Sequence, residues 1–116
     1  MWLFTPIGFF SVVADRNRPD QLIIRARVHE DLQALRDRYL PELLLVDQAG
    51  TDYAWRAWVA RDRWETAAAA MAAAIDYPNF KNAVQERQGS ERALAYMEIW
   101  QVMYGVQQET VSGRGR

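Results

Sequence analysis

The stretch TDYAWRAWVARDRW, residues Thr51–Trp64, decides the fold. Its first half alternates with the period of a strand: Tyr53, Trp55, Ala57 and Val59 fall on one face, and Ala54, Arg56, Trp58 and Ala60 on the other. The first set suits a core and the second mixes charge with a large aromatic. The period then changes. Asp62 with Glu65 three residues on predicts an N-cap and capping box, opening a helix through the Ala-rich run ETAAAAMAAAI. Trp64, Ala67 or Ala68, Met71 and Ile75 lie along one side of that helix. Ala combines the best helix propensity with the small size that lets a helix lie close on a sheet.

Upstream, Phe9–Ala14 and Leu22–Val28 are short β-branched and aromatic runs around the polar loop Asp15–Asp20, which predicts a hairpin. In the second run Leu22, Ile24, Ala26 and Val28 share one face, and Ile23, Arg25 and Arg27 the other. Leu32, Leu35 and Tyr39 then mark a helix from Glu30 to Leu40, stopped by Pro41. Glu42–Val46 predicts a further strand, and Asp47-Gln48-Ala49-Gly50 the turn after it.

Downstream, Asp76-Tyr77-Pro78-Asn79-Phe80 breaks the Ala-rich helix, since Pro cannot continue it. A short helix from Phe80 to Gln88 is expected to end at Gly89. Ser90 is expected to cap a last helix ending at Gly105, with Ala93, Met97, Trp100 and Tyr104 along its apolar stripe. The elements predict an α+β fold: a four-stranded, mainly antiparallel sheet in ββαββα order, followed by a C-terminal helical pair. This is a permuted ferredoxin-like arrangement whose last strand has moved to the front. Residues 1–106 are expected to form a single compact domain, with 107–116 as a frayed tail.

Composition bounds the function. At 116 residues, half of them hydrophobic, the chain is long enough for one real core. It has no Cys and a single His, His29, so neither disulfides nor a zinc ligand set can be assembled, and no cofactor is expected. The apolar start Met1-Trp2-Leu3-Phe4 is interrupted by Thr5, Pro6 and Gly8 and lacks the charge of a signal peptide. No apolar run has membrane-spanning length. A cytoplasmic protein without a membrane partner is expected. Net charge is −1, which argues against a large nonspecific nucleic-acid footprint. Thirteen of the basic residues are Arg, against Lys81 alone. Coding bias explains such an excess, and so does a need for bidentate recognition of carboxylate or phosphate.

The chain resembles an uncharacterised family of short bacterial proteins. The residues that carry the resemblance are Met1-Trp2 with Gly8-Phe9-Phe10-Ser11, Ile24-Arg25-Ala26-Arg27, Thr51-Asp52-Tyr53 and Ile75-Asp76-Tyr77-Pro78-Asn79-Phe80-Lys81. Gln88-Gly89, Glu91-Arg92-Ala93 and Tyr96–Trp100 complete it. The resemblance implies one compact unit and brings no activity, cofactor or catalytic residues.

Arg25, Arg27 and Arg56 are expected to share a sheet face with Trp58. That face could take a protein partner or a second copy, an acidic or phosphorylated group, or single-stranded nucleic acid by ring stacking and phosphate contact. Against this, the C-terminal helices could cover it, with the arginines paired to Asp52, Asp76 or Glu98. Asp76 and Tyr77 form the other polar-aromatic cluster, as binding residues or as the staple and cap of the next helix. A small enzyme built on Asp52, Asp76 and Tyr77 ranks last, because no catalytic constellation has diagnostic spacing. No catalytic residue is assigned. The expectation is a non-enzymatic binding module acting through the Arg and Trp face on a protein partner or itself, with nucleic-acid or nucleotide binding as the alternative.

Overall fold

A hairpin that the sequence leaves unannounced begins the sheet: β1 (Trp2–Thr5) pairs antiparallel with β2 (Gly8–Ala14). In this computed structural model, which describes residues 1–48 and 50–113, Thr5 organises the turn. Its Oγ1 accepts the N–H groups of Ile7 at 3.2 Å and Gly8 at 3.1 Å and donates to the Gly8 carbonyl at 2.7 Å. Pro6, which interrupts the apolar run, therefore sits inside a turn, where its fixed φ is an advantage.

The chain continues as β3 (Gln21–Ala26), α1 (His29–Arg38), β4 (Val46–Asp47), β5 (Trp55–Ala60) and α2 (Arg61–Ala73). Among the described residues the sheet has five strands rather than four, in the order β1-β2-β3-β5-β4 with every neighbour antiparallel. Within the described residues the chain divides into two compact units, Met1–Tyr77 and the helices from Pro78 on.

One face of the sheet carries the core of the first unit. Phe10 and Val12 from β2, Leu22, Ile24 and Ala26 from β3, and Ala57 and Val59 from β5 cluster with Leu32 and Leu35 of α1. Leu40, Leu43 and, from α2, Trp64 and Ala67 complete the cluster, and Ile75 is exposed instead of extending it. Fully burying a side chain of this kind contributes about 1.5–3 kcal/mol, so this layer is the main source of stability.

Two local expectations are corrected here. Glu42–Val46 does not form a strand; only Val46 and Asp47 pair, at the sheet edge. Leu40 and Leu43 are both buried, joined by a turn in which the Leu43 N–H donates to the Leu40 carbonyl at 3.1 Å. Burying two Leu three residues apart outweighs the period of two that a strand would need. Asp62 is not an N-cap either. α2 starts two residues earlier than an Asp62 cap would set it, with Ala60 at the N-cap position, as the Arg61 N–H donates to the Asp20 carbonyl at 2.8 Å where the β3–β5 ladder ends. Asp62 sits in the first turn, where its charge still complements the helix dipole.

The second unit holds α3 (Phe80–Gln88) and α4 (Ser90–Val111), packed on each other. Asn79 caps α3, its Oδ1 accepting the Asn82 N–H at 2.9 Å. Gly89 joins the helices at φ 94°, a left-handed conformation that favours glycine. Ser90 is thus the first helical residue and not a cap. Gly105 does not end α4: a single internal Gly costs only about 1 kcal/mol relative to Ala, and the helix runs on to Val111. Residues 107–111, expected to fray, are helical; the expectations on Ala49 and on the Arg114–Arg116 end lie outside the described residues. Among the described residues no helix is long and apolar enough to cross a membrane.

Candidate functional site

The sheet face opposite the α1/α2 layer carries the arginines. Strand register lines up one row across all five strands: Trp2 on β1, Ser11 on β2, Arg25 on β3, Arg56 on β5 and Val46 on β4. Strand alternation puts them there, because Leu22, Ile24 and Ala26 on β3 and Ala57 and Val59 on β5 are claimed by the core.

Each guanidinium is held differently. Arg25 Nη2 donates to Ser11 Oγ at 2.7 Å, and Ser11 is itself fully buried. Arg27 Nη1 donates to the Asp52 carbonyl at 2.7 Å. Arg56 Nη2 lies 4.0 Å from Asp52 Oδ1, with the Arg56 side chain 19% exposed and that of Asp52 71% exposed. The Nε atoms of Arg25 and Arg56 are buried and have no hydrogen-bond partner.

Tyr53 is the centre of this cluster, and its placement corrects the alternation expected from the sequence. The Arg25 Cζ lies 4.5 Å from its ring centroid and the Arg27 Cζ 4.3 Å, both in cation–π range. The loop before β5 explains the displacement. The single Thr51 hydroxyl proton is shared between the carbonyls of Gln48 at 2.8 Å and Tyr53 at 2.6 Å, and the Gln48 N–H donates to the Ala54 carbonyl at 2.7 Å. The β3–β5 ladder therefore begins at Trp55, and Tyr53 is free of the strand's alternation. It is buried, 3% exposed, but against the arginines and outside the apolar core cluster.

Trp58 is on the same face as Arg56, one row along, where it stands opposite Ile23 and is half-buried. Trp2 and Trp100 are the exposed tryptophans, at 65% and 56%. Trp2 has ring neighbours on β2, with its ring edge-on to Phe9 at 5.8 Å and Phe4 stacked on Phe9 at 4.5 Å. Asp76 and Tyr77 follow α2, outside the sheet; Asp76 is exposed and Tyr77 half-buried. Of the acids weighed for these arginines, Asp52 is the one the structure brings within ion-pair distance, among the described residues.

Sequence reasoning missed Ser11 and Tyr53 as members of the cluster. Ser11 was legible in principle, since it lies on the Arg25 face of its strand by parity. Tyr53 was not, because the turn that displaces it depends on hydrogen bonds of Thr51 and Gln48 that no periodicity reveals. His29 begins α1 and packs its ring edge-on to Trp55 at 4.5 Å. Among the described residues no three His, Asp or Glu side chains are grouped to hold a metal.

The arrangement can bind an anion or a polar surface. No family model, curated protein or solved structure matches the chain, so the functional reading rests on the residues themselves.

Proposed function

We propose that the protein is a non-enzymatic binding module whose Arg-bearing sheet face takes an acidic segment of a protein partner. One observation carries this: among the described residues only Arg56 of the three has a carboxylate at ion-pair distance, the mostly exposed Asp52 at 4.0 Å, while Arg25 is held by the Ser11 hydroxyl and Arg27 by the Asp52 main-chain carbonyl. The face holds a local positive excess in a chain whose net charge is −1. The Nε atoms of Arg25 and Arg56 are also buried without a partner, and an unsatisfied buried donor costs about 1–3 kcal/mol. A carboxylate from a partner offers two oxygens to a guanidinium fork once the side chain swings outward. Trp58 beside Arg56 supplies the aromatic contact that concentrates energy in protein interfaces.

An acidic peptide fits better than single-stranded nucleic acid. Base stacking needs an open ring face, and Tyr53 is buried against two guanidinium groups. We also infer that β2-β3-β5-β4 with α1 and α2 is a ferredoxin-like sandwich with its last strand moved to the front, to which β1 adds an edge strand. Such a fold carries no function by itself.

Calorimetric titration at low salt with a poly-glutamate peptide, a poly-lysine peptide and a single-stranded oligonucleotide tests the proposal. Binding of poly-glutamate that weakens with salt is expected. The Arg25→Gln/Arg56→Gln double variant should lose at least about tenfold in affinity. No binding of poly-glutamate, equal binding by the double variant, or a preference for the oligonucleotide would overturn it.

A further inference from the structure

We propose that α4 is a self-association helix, through which a second copy of this chain packs antiparallel along Ala95, Ile99, Val102 and Val106. These four residues follow each other at spacings of four, three and four, the seam of a two-helix coiled coil, with Met103 beside them. All are exposed, Val102 at 67%.

Helix length makes a partner necessary. α3 has nine residues and α4 has 22, so α3 can accompany less than half of its neighbour. From Glu98 to Gly113 every described side chain is exposed. An isolated helix of about 12–15 residues is marginal in water, because helices in proteins draw most of their stability from packing an apolar face. Gly105, internal to α4 with no atom within 4 Å of an added Cβ, weakens this half further. Within this unit, among the described residues, α3 does not reach far enough to offset this.

Area and charge select the occupant. Ile99, Val102, Met103 and Val106 along the seam, and Trp100 and Tyr104 beside it, each leave 42–67% of their surface exposed, so two copies paired through both helices of each α3/α4 unit could approach the roughly 1,200 Å² of specific stable interfaces. Apolar side chains on more than one side of the helix suit a bundle of two α3/α4 pairs better than a single line of contact. Antiparallel pairing centred near Val102 brings Ile99 towards the partner's Val106 and sets opposite dipole ends together. A lipid surface is disfavoured: from Ala93 to Gly113 the charged residues are Glu98 and Glu109, with no Lys or Arg for anionic headgroups. The arginine face takes no part, so the two proposals stand or fall separately.

Light scattering and sedimentation of the full chain from about 5 to about 200 µM should show a monomer–dimer equilibrium. Val102→Lys and Val106→Glu should each raise its dissociation constant at least about tenfold while the helical circular dichroism at high concentration persists. Since the chain has no Cys, Val102→Cys should form an intermolecular disulfide under mild oxidation and Gln101→Cys, off the seam, should not. A strict monomer, a dimer indifferent to both charges, equal cross-linking at the two positions, or cosedimentation with phosphatidylserine vesicles in place of dimerisation would overturn the proposal.

Discussion

Arg25 on β3 and Arg56 on β5 stand directly opposite each other in the antiparallel ladder, two like charges on neighbouring strands. Such a pair is destabilising in a sheet, and here each partner also carries a buried Nε without an acceptor. Arg56→Met should therefore stabilise the protein, by about 1 kcal/mol in urea unfolding, as replacing buried charge by apolar volume often does. The same variant should lose poly-glutamate binding. Destabilisation by Arg56→Met would show that the two guanidinium groups are compensated within the fold.

Ser11 is the buried acceptor for Arg25 Nη2. Ser11→Ala should cost about 1.5–3 kcal/mol, the range for a hydrogen bond to a charged group, with the larger share coming from the donor left behind. Ser11→Ala combined with Arg25→Met should recover most of that loss in a double-mutant cycle. Additive losses in the cycle would mean the two side chains are not coupled.

Gly8 has no room for a side chain. A Cβ there would lie 2.7 Å from Cβ and Cγ of Asp31, whose Oδ2 accepts the Phe9 N–H at 3.0 Å. Gly8→Ala must push α1 away from β2 or break that hydrogen bond, and should cost about 1–3 kcal/mol, as overpacking does. Thermal unfolding and the exchange rate of the Phe9 amide report the two effects together. An unchanged melting temperature would contradict the close approach.

Acid sensitivity has two named sources. Arg63 Nε and Nη2 donate to Glu42 at 2.6 and 3.1 Å, and this hydrogen bonding holds the Glu42 carboxyl below its ordinary range. The Asn17 N–H does the same for Asp15; burial opposes the shift and Arg18 adds to it. A carboxylate with a depressed folded-state pKa contributes stability that is present above its unfolded pKa and lost as pH falls through the folded value. The loss should begin near the usual carboxylate range of about 4 and continue below it. Urea midpoints measured from neutral to acid pH should fall less steeply for Glu42→Gln than for the unmodified protein. Parallel curves would assign the acid sensitivity elsewhere.

Periodicity made the core legible but not its edges. Phe10, Ile24, Ala57 and Val59 alternate over six or seven residues, and no other placement buries them. β1 escaped because four residues ending at a proline carry too little pattern, and its pairing is set by the Thr5 hydroxyl. β4 was overstated because three consecutive Leu satisfy strand and turn alike, and tertiary burial of Leu40 and Leu43 chose the turn. The arginine row was readable from strand parity, whereas its closure by Tyr53 depends on a loop. α4 was cut short at Gly105, where local propensity is weakest.

β5 passes into α2 without an intervening loop, Ala60 ending one and Arg61 beginning the other. From Thr51 to Tyr77 there is neither Gly nor Pro. The segment thus has no ready hinge, and its helical end is fixed by the buried Trp64. Arg56 is held on a stiff mount before any ligand arrives. If the face binds as proposed, that binding demands little ordering of the backbone, so apart from the outward swing of the arginine side chains the entropy given up on association is mostly that of the ligand. A disordered acidic segment would bear nearly the whole of that cost, which favours short-lived complexes that form quickly and exchange readily.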